Sequence, residues 1–162
     1  MAKSVIALIG GIIVLLGIVL SFFVDIFGWW NFYTIFADDV TDSYFMNAFF
    51  GDTDELLNED LTYLIPGILA SLGGILCLTQ NKALSIIGGV LVIGGIGFYL
   101  ILLGDSDAAN LANNLDTNIL WDEFGVTLFN SFTGVRWQLG YGMITTAVGG
   151  IVGIIGGLTA KK

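Results

Sequence analysis

The sequence predicts an all-α membrane protein: a four-helix transmembrane bundle of two antiparallel hairpins, with two extracellular segments forming a small cap. Three observations predict it. The 162 residues are 56% hydrophobic with a mean hydropathy of +0.89, beyond the range of ordinary soluble domains. Four apolar runs, at about 4–24, 61–79, 83–103 and 139–160, are each close to the roughly 20 residues needed to cross a bilayer. Charge is segregated between them: all 14 acidic residues fall in Asp25–Asp60 and Asp105–Glu123, whereas the lysines are Lys3, Lys82, Lys161 and Lys162. The whole chain, 1–162, reads as one integral membrane domain.

The first run, Ser4 to Val24, is too long for a signal-peptide core, and bulky Phe22, Phe23 and Phe27 stand where a cleavage site needs small residues. It reads as a retained first helix. The outer segment 25–60 is acidic and aromatic. It opens on Phe27-Gly28-Trp29-Trp30, a pattern of rings at headgroup level, so Trp29 and Trp30 are expected as interface anchors. An exposed hot spot for another protein is the sharper reading of the same pair. Asp38 or Asp39 is expected to cap a short helix displaying Tyr44, Phe45, Ala48 and Phe49, and Asp52 a second one through Leu56 and Leu57.

The second helix, 61–79, carries Pro66 in its first turns, where a missing N–H matters least. Gln80-Asn81-Lys82 is long enough only for an antiparallel connection to the third helix, 83–103. The second outer segment, 105–138, has Asp107 as a candidate cap and Trp121 and Trp137 as further interface anchors. The fourth helix, 139–160, ends at Lys161-Lys162.

Positive residues favour the cytoplasmic side. With four spans, Lys3, Lys82 and the terminal lysines share one side. The protein is therefore expected in a cell membrane as a multi-pass chain, both termini cytoplasmic and the acidic segments outside. Arg136 alone breaks the pattern and is expected to pair with Asp122 or Glu123.

Glycine is the other signal. There are 23 glycines, each costing about 1 kcal/mol against alanine in a soluble helix but letting backbones approach in a bilayer. Pairs recur in all four runs: Gly10-Gly11, Gly73-Gly74, Gly88-Gly89 and Gly149-Gly150. Gly149, Gly153 and Gly157 form an i, i+4, i+8 stripe, a glycine zipper expected to pack within the chain against Gly88 or Gly89. Because the pairs fall in the cytoplasmic halves and the large rings in the outer halves, the bundle should be narrow inside and wide outside. The run Ile9-Gly10-Gly11 matches Ile87-Gly88-Gly89, and Leu61 and Tyr63 match Leu139 and Tyr141 at the same offset. A duplicated hairpin accounts for both; chance similarity between Gly/Ile/Val-rich helices is the alternative.

Several chemistries lack their residues. The spans hold no Asp, Glu, Lys, Arg or His, which proton relays, ion-coupled transport and voltage sensing require. Histidine is absent and cysteine occurs once, at Cys77, so a His-activated nucleophile, a thiolate zinc site and an intrachain disulfide have no basis. Cys77 reads as a small hydrophobe. Ser21, Ser71, Ser85, Thr145 and Thr146 read as packing or backbone-bonded residues. No cofactor is expected; calcium is the one ion with candidate ligands, at Asp38, Asp39, Asp42, Asp52, Asp54 and Glu55. None of these completes the D-x-[DN]-x-[DN]-G pattern.

The expected function is that of a small non-enzymatic integral membrane protein with a structural or assembly role. It would self-associate or serve as an accessory subunit of a larger membrane or cell-envelope complex. The alternative is a cation-conducting or cation-concentrating oligomer with an acidic outer vestibule. The expected partners are the lipid bilayer and further copies or other membrane subunits. A net charge of −9 turns nucleic acid away.

Overall fold

A computed structural model describes residues 4–24, 27–36, 39–46, 48–49, 64–104, 125–130 and 133–160. Four helices stand in the expected runs: α1 (Val5–Leu20), α2 (Leu64–Leu78), α3 (Lys82–Gly104) and α4 (Tyr141–Thr159). Two of them, α3 over Lys82–Leu102 and α4 over Tyr141–Thr159, are long and apolar enough to cross a membrane. The apolar helices α1 and α2 are shorter, 16 and 15 residues, or about 24 Å at 1.5 Å per residue. Backbone bonds from Phe22 to Val19 and from Val24 to Leu20 carry α1 on for another turn.

The helices form a ring in which α1 lies between α2 and α4, and α3 completes the square between the same two. At one end, the α2–α3 turn is fixed by its own side chains. Gln80 takes the left-handed conformation (φ 58°) that ends α2. Asn81 Oδ1 then accepts the amides of Ala83 (3.0 Å) and Leu84 (3.3 Å), capping α3. Ser4 belongs to this end too. Its amide donates to Gln80 O, its Oγ caps Ala7 N, and its hydroxyl donates to Gly156 O at 2.7 Å. The start of α1, the α2–α3 turn and the end of α4 are thus pinned together.

The other end corrects the all-α expectation, which holds for the bundle alone. The outer segments contribute four strands: β1 (Trp30–Phe36), β2 (Asp39–Met46), β3 (Gly125–Asn130) and β4 (Thr133–Leu139). They make one antiparallel sheet in the order β2-β1-β4-β3. Of the helix expected around Tyr44–Phe49, Tyr44, Phe45 and Met46 belong instead to strand β2. Apolar residues at 44, 45, 48 and 49 mimic a helical period, but Val40, Thr41, Tyr44 and Phe45 suit a pleated sheet better. Each hairpin is closed by two residues, between Phe36 and Asp39 and between Asn130 and Thr133. A register shift between Thr34 and Ile35 leaves Thr41 as the extra residue of a bulge. The second short helix expected from Asp52, and the cap at Asp107, lie outside the described residues.

The helix ring repeats itself. Gly10 lies against Gly149 and Gly153 as Gly88 lies against Gly73 and Cys77; Gly11 lies against Gly74 and Leu78 as Gly89 lies against Gly150 and Ile154. Buried positions obey the same equivalence. Ala7, Gly10, Gly11, Val14, Gly17 and Ile18 of α1 correspond to Ser85, Gly88, Gly89, Val92, Gly95 and Ile96 of α3, and all are buried. The shift is 78 residues from α1 to α3 but 76 from α2 to α4. The pairing of α2 with α4 at the first offset is thereby corrected: Gly73-Gly74 corresponds to Gly149-Gly150. The ring has a two-fold pattern, whereas the sheet order does not; its two hairpins follow one another by translation.

Candidate functional site: the glycine seams and the sheet–bundle junction

The site is a set of backbone contacts. On α1, a Cβ added at Gly10 would lie 2.5 Å from Gly153 N, 2.8 Å from Gly149 O and 2.9 Å from Gly153 Cα. Real Cβ atoms do not come so close, so this position requires the bare glycine backbone. On the equivalent seam a Cβ at Gly88 would lie 2.5 Å from Gly73 O and 3.1 Å from Cys77 N. Gly11 faces Gly74 O at 2.7 Å and Gly89 faces Gly150 O at 2.5 Å by the same construction. These residues, Gly10, Gly11, Gly73, Gly74, Gly88, Gly89, Gly149 and Gly153, bring all four helices together at matching height.

The fourth-helix stripe is arranged differently from expectation. Gly149 faces Val14 and Gly10 of α1, Gly153 faces Cys77 of α2, where an added Cβ would lie 2.5 Å from Sγ, and Gly157 faces Ile86 and Lys82 O of α3. The stripe meets three helices in turn, and Gly89 meets Gly150 and Ile154 instead of Gly153. The reason is helical geometry: residues four apart advance by about 40° around the axis, and α4 has neighbours on three sides.

Gly17, Gly95 and Gly156 belong to the seams as well, the last two within the further pairs Gly94-Gly95 and Gly156-Gly157. Gly17 faces Thr146 Oγ1 and Gly142 O, Gly95 faces Pro66 O, and Gly156 faces Ala7. The equivalence of α1 with α3 links Gly17 to Gly95, a signal available to an alignment of the two halves. Gly94 and Gly97 show the opposite case. An added Cβ meets nothing within 4 Å at either.

At the junction with the sheet, glycine again permits contact. Gly140 N donates to Trp29 O at 3.0 Å, and a Cβ at Gly140 would strike Gly28 O, as one at Gly142 would strike Phe27 O. Ser21 Oγ donates to Ile18 O (2.6 Å) and accepts the amide of Ala48. Gly67 receives Ala48 and Phe49. Trp29 corrects the interface-anchor reading: its exposure is 0%. Its ring meets Tyr99 edge-on, with centroids 5.2 Å apart at 77°, in a core that includes Met143, Ile18 and Ile96. An indole this size buries far more apolar area inside than at a headgroup boundary. Among the described residues two buried polar atoms have no hydrogen-bond partner, Trp29 Nε1 and Ser85 Oγ.

The remaining candidates are placed by backbone alone or lie outside the described residues. Trp30 pairs with Met46 and Leu139, and Trp137 with Phe32 and Val126; Trp121 is outside. Asp39 pairs with Phe36 and Asp42 with Thr34, on β2. Asp38, Asp52, Asp54 and Glu55 are outside, as are Asp122 and Glu123, the partners expected for Arg136. Among the described residues no three His, Cys, Asp or Glu side chains gather as metal ligands. In comparison with known proteins, no family model matches the chain and no curated protein does.

Proposed function

We propose that the chain is a four-span integral membrane protein with a structural or assembly role, associating with further copies or with other subunits of a membrane or cell-envelope complex. One observation carries the reading. On every helix most of the large apolar side chains face outward, and most of the inward positions hold small residues. Ile9, Ile12 and Leu16 of α1, Ile68, Leu72 and Ile75 of α2, Ile87 and Val90 of α3, and Ile151, Ile155 and Leu158 of α4 are exposed. Their buried neighbours are mostly Gly, Ala, Ser and Thr. Water would select the reverse arrangement. A bilayer, where close packing drives helix association, selects this one. The outward apolar faces of the shorter α1 and α2 match those of α3 and α4, which supports all four as spans.

The buried polar groups support a non-enzymatic role. Ser4, Ser21 and Thr146 spend their hydroxyls on backbone carbonyls, and the seams bring backbones together along the bundle axis. A conducting path would need several copies around it. The lysine distribution supports both termini and the α2–α3 turn on the cytoplasmic side and the sheet outside.

The test has two arms, both in a Cys77→Ala background. Cysteines at Asp54 and Asn113 should react with an impermeant thiol reagent on intact cells, and one at Lys82 should not. Mass measurement in mild detergent should give a homo-oligomer or a defined complex. Labelling at Lys82 alone overturns the topology; a solitary chain with no co-purifying subunit overturns the assembly role.

A further inference from the structure

The strand order leaves an imbalance at the margins of the sheet. β1, the first strand of the first hairpin, pairs with β4, the second strand of the second hairpin, from Trp30↔Leu139 to Phe36↔Thr133. Among the described residues, the strands left with one neighbour are β3 and β2. These are the first strand of the second hairpin and the second strand of the first. The two margins are therefore the two halves of another joint of the same type.

Polarity agrees. Every neighbouring pair is antiparallel, so β3 runs with β1, and β2 runs against it. A second molecule translated alongside the first, without rotation, brings its β2 antiparallel to β3. Translation also leaves both copies the same way up in a bilayer.

The margins differ in chemistry. β2 carries Asp39 and Asp42, like charges that disfavour the pairing of two β2 strands with each other. β3, Gly-Val-Thr-Leu-Phe-Asn, carries neither charge nor proline. Among the described residues its outer row of N–H and C=O groups meets no further strand, and its sequence offers no like charge to the acidic strand.

We infer that β3 of one molecule adds to β2 of a second, so that the outer sheets of neighbouring copies join edge to edge. The inference rests on the self-association proposed above and names its interface. The joined surfaces are different, so the contact is heterologous, and successive copies extend into a row or close into a ring.

The experiment uses full-length protein in its own membranes, with Cys77→Ala. Thr127→Cys, at the middle of β3, is combined in turn with Ser43→Cys, Tyr44→Cys and Phe45→Cys on β2. The pair Thr34→Cys/Val135→Cys, opposed across the joint within the chain, is the reference and should close on oxidation with no gain in mass. At least one of the three test pairs should give a reducible ladder of dimer, trimer and higher species, while Thr127→Cys alone stays at single-chain mass. No ladder from any pair overturns the inference if the reference closes. If the reference fails to close, the sheet order behind the inference is itself wrong. A dimer from Thr127→Cys alone assigns the contact to two β3 strands and likewise overturns it. A variant without new thiols, Thr127→Asp, sets a carboxylate beside acidic β2 and should reduce the native mass to one chain with the melting temperature retained; unchanged mass counts against the joint. An uncrosslinked oligomer without a ladder leaves self-association standing and moves the contact off the sheet, whereas an uncrosslinked single chain removes both.

Discussion

Gly10→Ala is the sharpest perturbation of the seam. The added methyl would lie 2.5 Å from Gly153 N and within 2.9 Å of Gly149 O and Gly153 Cα. All three are backbone atoms of α4, so no rotamer change relieves the contact. Helices α1 and α4 must separate until the methyl reaches an ordinary distance of about 3.5 Å, a displacement near 1 Å that forfeits a quarter to a half of the dispersion energy of the atoms in contact. Overpacking of this kind costs about 1–3 kcal/mol, or a fall of roughly 2–12 °C in melting temperature for a chain this size. Gly94→Ala is the internal reference, since its methyl meets nothing within 4 Å. It should be neutral or gain up to about 1 kcal/mol through helix propensity. The assay is thermal unfolding in one detergent, followed by tryptophan fluorescence and by loss of the monodisperse peak on size exclusion. A Gly10→Ala protein that melts with wild type, or a Gly94→Ala protein that loses as much, refutes the backbone-contact reading.

The remaining outcomes follow from single contacts. Gly153→Ala should also lose about 1–3 kcal/mol, but here the obstacle is Cys77 Sγ at 2.5 Å. Adding Cys77→Gly should recover part of the loss, and additive melting temperatures would deny the contact. Trp29→Ala should cost about 3–5 kcal/mol because it empties a fully buried site; a stability near wild type would return Trp29 to the surface. Ser85→Ala removes a buried hydroxyl that lacks a partner and installs the residue found at the equivalent Ala7. It should raise stability by about 1 kcal/mol in chemical or thermal unfolding, and a loss of that size would mean the hydroxyl is bonded. Ser4→Ala removes both a helix cap and the hydrogen bond to Gly156 O, at about 1 kcal/mol, with α1 the first segment to gain hydrogen exchange.

What the sequence determined by itself is the part governed by local composition. The four helices come from long apolar runs broken only by polar segments. The turn at Gln80-Asn81 comes from a capping asparagine between two such runs. The inward place of Gly10-Gly11, Gly73-Gly74, Gly88-Gly89 and Gly149-Gly150 follows from the cost of glycine anywhere a side chain has room. Tertiary structure decided which neighbour each glycine meets. A stripe at i, i+4 and i+8 winds around the helix, and only the ring of α1, α2, α3 and α4 assigns Gly149 to α1, Gly153 to α2 and Gly157 to α3. It also decided the outer segments. Tyr44, Phe45, Ala48 and Phe49 fit a helical period as readily as a strand, and β1 becomes a strand of this sheet by pairing with β4, about a hundred residues away, through backbone groups identical in every sequence. Trp29 is buried for the same reason: its place depends on Tyr99 and Met143 arriving from α3 and α4, and no pattern within reach of Trp29 itself announces them.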